Sequence, residues 1–213
     1  MENFFKLRAE KQGHIINAAL AVFGKNGYKK ASIADIAENA GIAKGMVTYY
    51  FGSKKNLYSY LIEECGKTLS EAMTDGYDES VTDFFDNMIM VLDIKVAMMK
   101  KHPAIMLFLA SAYSETDEEV RGEINAFITS GMEVREKLIF QKTDTSRFRQ
   151  DVDPKLIDRF FIWAAEGFSH TLKNKNHNQD QNQNQDQDQD EMLNSFVKDV
   201  HTLMTVMKQY FYR

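Results

Sequence analysis

The sequence predicts an all-α protein of about nine helices, and three observations carry that reading. Prolines occur only at Pro103 and Pro154. Alternating runs of β-branched residues, the mark of half-buried strands, are absent. Nearly every apolar stretch instead repeats at the 3.6-residue spacing of a helix face. The hydrophobic fraction of 44% and charged fraction of 27% are those of an ordinary globular chain.

A first helix is expected over about 6–25, with Ile15, Ile16, Ala19, Leu20, Val22 and Phe23 on one stripe and the Gly24–Gly27 neighbourhood as its end. Ser32 is an N-cap for a short helix in which Ile33, Ile36, Ala37 and Ala40 share a face, and Gly41 stops it. A second short helix spans about 43–50, and Gly52-Ser53 opens a long one from Lys54 to about Thr74. Longer helices follow at about 80–101, 103–114 and 117–142, with Pro103 as a stop or a first helical residue. Asp153-Pro154 opens another, ending near Lys173, and the last runs over about 191–212. The tract at 178–190 holds only Asn, Gln and Asp and offers nothing to repay the entropy of ordering, so a disordered loop is expected over about 174–190.

Several function classes are disfavoured by composition. The N-terminus lacks the apolar block of a signal peptide, and the longest apolar run, 104–113, is about half a membrane span. A cytoplasmic protein without a membrane partner is expected. Cys65 is the only cysteine, and the histidines at 14, 102, 170, 177 and 201 lack metal-ligand spacing, so neither a metal nor a cofactor is expected. No glycine-rich phosphate loop and no Ser or Cys nucleophile signature is present, which leaves no catalytic candidates.

The net charge of −5 hides an asymmetry. Residues 1–55 carry nine basic and four acidic side chains, a net of +5, whereas the remaining 158 residues carry a net of −10. A basic head on an acidic body points to an anionic partner for the head.

Two short helices joined by a tight glycine turn have the shape of a helix-turn-helix, here at about 32–50. On the second helix Ala43, Val47, Tyr50 and Phe51 share one side, and Lys44, Gly45, Thr48 and Tyr49 share the other. That second side offers a cation, a hydroxyl, a phenol and a residue without a side chain, groups suited to phosphates and base edges. An ordinary short helix with a polar outer face would show the same local pattern.

The run from Ile15 to Leu57 also resembles the N-terminal signature of the TetR family of bacterial transcriptional regulators. The matching points are Ala19, Phe23, Gly27, Tyr28, Ser32, Ile33, Ile36, Ala37, Ala40, Gly41, Ile42, Gly45, Tyr49, Phe51, Lys54 and Leu57. The resemblance implies a three-helix DNA-binding domain over 1–55 and a helical effector-binding and dimerisation domain over 56–213. It implies that Lys44, Gly45, Met46, Thr48 and Tyr49 lie nearest the bases, with Ser32, Tyr50, Lys54 and Lys55 on phosphates. Ala43 stands where the family often has Ser or Thr, and Thr48 where an aromatic is common.

The resemblance further implies a homodimer on a near-palindromic double-stranded operator, acting as a repressor that a small apolar or amphipathic effector releases. The last two helices would form the dimer interface through Phe160, Phe161, Phe168, Phe196, Val200, Leu203 and Met207. Capping of the monomer's own core by those stripes is the alternative. The effector pocket would draw on Phe84, Met88, Met98, Met99, Phe108, Tyr113 and Phe127, a set of thioethers and rings that equally suits a plain core. An enzyme and a protein-interaction module are the rival readings, and only DNA binding predicts a steep loss of affinity with salt.

Overall fold

The computed structural model describes the backbone of residues 1–178 and 185–213 and the side chains of residues 1–171 and 190–213. Among them are ten α-helices and no β-strand. The first, α1 (Glu2–Phe5), precedes the helix expected to open the chain. Phe4 is fully buried among the rings of Tyr50, Phe51 and Tyr60, which is why so short a helix is held.

Helix α2 (Ala9–Lys30) runs past Gly24 and breaks only at Gly27, whose φ of 70° lies in the left-handed region that glycine tolerates. Gly24 has another task. A Cβ there would lie 3.0 Å from the backbone of Leu107 and Phe108, so its bare backbone lets α2 pack directly on α7 (Pro103–Tyr113). Pro103 is the first residue of α7.

The next elements follow their local signals. Ser32 caps α3 (Ile33–Asn39) by accepting from the Asp35 amide at 3.1 Å, and Gly41 turns the chain with φ 63°. Helix α4 (Lys44–Phe51) follows, and Ser53 caps α5 (Lys54–Gly76) through the Asn56 amide. The expected domain boundary after residue 55 therefore falls inside the first turn of α5. The largest apolar cluster likewise joins Ile15, Phe23, Ile36, Val47, Phe51 and Leu57 of the head to Phe108, Leu109 and Ile124 of the body. Cys65 is buried in this cluster, and burial pushes its thiol up to about 12, which suits a small apolar residue and not a reactive one.

Helix α6 (Phe84–Lys101) starts at Asp83, whose carboxylate caps the Phe85 and Asp86 amides. Helix α8 (Arg121–Glu136) buries only Ile124 and passes into a π-helical turn at Lys137–Gln141. Helices α9 (Pro154–Asn178) and α10 (Gln185–Phe211) complete the chain. A second cluster, with Phe84, Phe85, Met88, Ile139, Phe148, Phe161 and Met204, ties α6 to both of them. The loop expected over 174–190 is thus helical at 174–178 and at 185–190, since adding a residue to a helix already formed costs far less than starting one, and 179–184 lie outside the described residues. No helix among the described residues is long and apolar enough to cross a membrane.

Candidate nucleic-acid interface

Helix α4 is braced from behind and open in front. Val47, Tyr50 and Phe51 are buried, whereas Lys44, Gly45, Thr48 and Tyr49 are exposed, as the sequence pattern predicts; Ala43, expected on the inner side, is exposed as well, because it is the N-cap and lies just outside the helix. Met46 is half-buried against the head's core. Nothing lies within 4 Å of where a Gly45 side chain would begin. Glycine in that helical position costs about 1 kcal/mol relative to alanine, and no packing within the chain asks for it. A surface approaching from outside gives it a reason.

The N-terminus of α4 adds to that side. Ala43 has no side chain able to cap, so no side chain satisfies the first amides of the helix, and Lys44 in that first turn is exposed. Uncapped helix amides and a cation together suit a phosphate oxygen.

Tyr49, 60% exposed, is held from an unforeseen direction. The Asn3 side-chain amide donates to its hydroxyl at 2.6 Å, which ties α1 to the outer side of α4. Four residues are too few for a periodic signal, and only the adjacent Phe4-Phe5 pair hinted at α1.

Four candidates are engaged by other groups of the protein itself. Tyr50 is only 4% exposed because its ring packs on Phe4 and Phe51. Lys54 donates to the Tyr28 carbonyl at 2.9 Å and the Ala31 carbonyl at 3.3 Å, with its ammonium 4.2 Å from the centre of the Tyr28 ring. It satisfies carbonyls left over at the C-terminal end of α2. Lys55 pairs with Glu123 of α8 at 3.2 Å. Ser32 spends its oxygen on capping α3 and remains half-buried.

The head is also clasped to the body. Glu115, in the loop after α7, accepts from the Tyr28 amide at 2.7 Å, and its other oxygen accepts from the Thr116 and Asp117 amides. That contact spans 87 residues of sequence and sits at the Gly27 break.

The residues expected to form an effector pocket do not come together. Phe84 and Met88 belong to the α6–α9–α10 cluster, whereas Met98, Met99, Phe108 and Phe127 pack on the head's cluster. Tyr113 alone borders an open cleft of about 250 Å³ between α7, α8 and α9, lined also by Ser114, Ile128, Glu166 and His170. The dimer candidates divide in the same way. Phe161 and Val200 are buried in the monomer, Met207 packs against the same cluster, and Phe168 stacks on Phe196 at 4.3 Å within one chain. Of that set only Phe160 and Leu203 are exposed, alongside Leu156, Trp163, Val206 and Tyr210, which lie outside it. These helices carry two apolar stripes, and periodicity does not tell which one the monomer keeps.

Comparison with known proteins agrees with the geometry. Residues 15–61 match the family model of bacterial regulatory proteins of the tetR family. The head is 36% identical over 59 residues to the HTH-type transcriptional regulator TtgR of Pseudomonas putida, a match covering 28% of each chain. The fatty acid metabolism regulator protein of Bacillus subtilis is 21% identical over 151 residues, covering 71% of this chain and 77% of the relative. Among solved structures, a TetR family transcriptional regulator from Chloroflexus aurantiacus superposes with a TM-score of 0.75 at 21% identity, over 100% of this chain and 98% of the other. The regulator FadR of Bacillus subtilis, in complex with stearoyl-CoA, gives 0.66 at 18% identity, covering 90% and 96%. The head thus matches the tetR family model over residues 15–61, and the fold along the whole chain is one that solved TetR family transcriptional regulators share.

Proposed function

We propose that the protein is a homodimeric repressor that grips a near-palindromic operator through α4 and is released by a small apolar or amphipathic effector. The observation that carries the reading is the outward side of α4, where Lys44, Thr48 and Tyr49 surround a Gly45 that the protein's own packing does not require. Two such helices related by a two-fold axis would meet half-sites about 10 bp, or a multiple of it, apart.

The dimer reading is supported by Leu156, Phe160 and Trp163 on α9 and by Leu203, Val206 and Tyr210 on α10, large apolar side chains left exposed at helical spacing. Exposed apolar stripes of this kind mark interaction surfaces. An amphipathic effector is supported by the relative solved with stearoyl-CoA. Its binding would favour a dimer in which the two α4 helices are wrongly spaced for DNA.

Selection of bound fragments from genomic DNA, followed by affinity measurements over a salt series, tests the reading. A palindromic consensus and a steep linear fall of log K with log salt are expected. Recovery of no consensus together with salt-insensitive binding would remove it.

A further inference from the structure

Helix α6 carries one residue that its pattern does not lead one to expect. Phe84, Met88, Val91 and Met98 are buried along one stripe, and Lys95 stands on that same stripe, one turn beyond Val91 and one turn before Met98. It is partly buried, and among the described residues its ammonium has neither a hydrogen-bond acceptor nor an ion-pair partner. The groups whose fields reach it are Arg135 at the end of α8 and Asp158 on α9. Asp158 is buried and already taken, because the Arg135 Nε donates to its Oδ1 at 2.7 Å. Two cations thus lie in the field of one buried carboxylate that pairs with only one of them. An unpaired cation out of water is costly unless a partner is supplied.

The helix that carries Arg135 is loosely held. Arg135 lies two residues before the π-helical turn at Lys137–Gln141, and turns of that kind recur at functional sites. Helix α8, which bears Arg135, buries only Ile124, so it is the body helix least held by core packing. The side chains flanking Lys95 on α6 are apolar, suited to a hydrocarbon tail.

We propose that Lys95 and Arg135 form an interior subsite for the anionic head group of an apolar-tailed effector, a carboxylate or phosphate on an alkyl chain. This rests on the effector reading above and gives it a charge. The anion would complete a balanced set of two cations and two anions, and the tail would lie among the apolar side chains of α6.

Three probes with one tail test it by calorimetry on the full-length protein: decanoate, decyl phosphate and decanol. Both anions should bind roughly tenfold or more tightly than decanol, the range expected of a charge-assisted contact. The ratio of the two anions to each other tells which head group is preferred. Lys95→Met should bring all three probes to the decanol affinity, and Lys95→Arg should keep the preference. Without ligand, Lys95→Met should melt at a higher temperature than the parent. A lysine that merely supports Asp158 would instead lower it, and that result would overturn the subsite. Equal binding of the three probes, or a preference surviving in Lys95→Met, also overturns the subsite while leaving an effector site standing. No binding of any probe up to millimolar concentration takes down the effector reading with it.

Discussion

The side-chain amide of Asn3 donates to the hydroxyl of Tyr49 at 2.6 Å, so the outer side of α4 is positioned in part by the first four residues of the chain. Behind that bond, Phe4 fills a pocket of rings from Tyr50, Phe51 and Tyr60. Phe4→Ala removes a fully buried ring and should cost about 3–5 kcal/mol, whereas Asn3→Ala breaks an exposed bond and should cost about 1 kcal/mol or less. Urea unfolding of the two variants checks the order. DNA affinity should fall in both, and for Asn3→Ala it should fall with almost no loss of stability.

Gly45 separates folding from binding. With nothing within 4 Å of the added carbon, Gly45→Ala should stabilise α4 by about 0.5–1 kcal/mol. The same methyl group would stand between the helix backbone and DNA, so affinity should drop while the melting temperature rises. A variant that melts higher and binds as well as the parent would show that DNA does not approach there.

Lys44, expected near the bases, is exposed in the uncapped first turn of α4, and if it meets a phosphate there it should act uniformly across sequences. Lys44→Ala should weaken binding to specific and non-specific duplexes alike and lower the salt slope by about one unit. Lys54→Ala makes the contrast. It removes the donor to the Tyr28 and Ala31 carbonyls, so it should lower stability, with its effect on DNA following from the loosened end of α2.

What the sequence disclosed was local. Ser32, Gly41, Ser53 and Pro103 sit where caps, turns and first turns need them, because those preferences are set by the neighbouring few residues. The two sides of α4 were legible for the same reason. Glu115 was not, since its partner Tyr28 lies 87 positions away and a single carboxylate carries no pattern. Phe161 and Val200, expected at a dimer interface, are buried within the monomer, because an apolar stripe does not announce its partner. Lys95 interrupts a buried stripe visibly, yet a lysine at one position also reads as a solvated edge until α8 and α9 are seen against it.

Trp163 tests the outer stripe directly. It is 57% exposed, so Trp163→Glu should leave the monomer folded while placing a charge on the surface proposed to pair. Sedimentation should show a dimer for the parent and a monomer for the variant, with unchanged helical circular dichroism. Phe161→Glu, aimed at a buried ring, should instead unfold the body. A Trp163→Glu dimer as tight as the parent would move the interface elsewhere.

Lys95 predicts a pH dependence whose sign is fixed. Burial, with Arg135 nearby, pulls its ammonium down to about 8, although Asp158 opposes the shift, and in the unfolded chain it titrates near 10.4. Below about pH 8 both states hold the proton, and the cost of burying the cation is borne in full. Between about 8 and about 10 the folded state has released a proton that the unfolded state still binds, so this group favours folding increasingly as pH rises. Cys65 works the other way. Its thiol is raised to about 12, and the unfolded thiolate forms first, which favours unfolding above about pH 9. Comparing the parent with Lys95→Met cancels the cysteine, because both proteins keep it. The stability advantage of Lys95→Met should therefore be largest near neutrality and shrink towards about pH 10, as read from urea midpoints across the series. A bound decanoate would hold Lys95 protonated and flatten that convergence. A gap between the two proteins that stays constant across the range would mean that Lys95 keeps its proton as an ordinary surface lysine does.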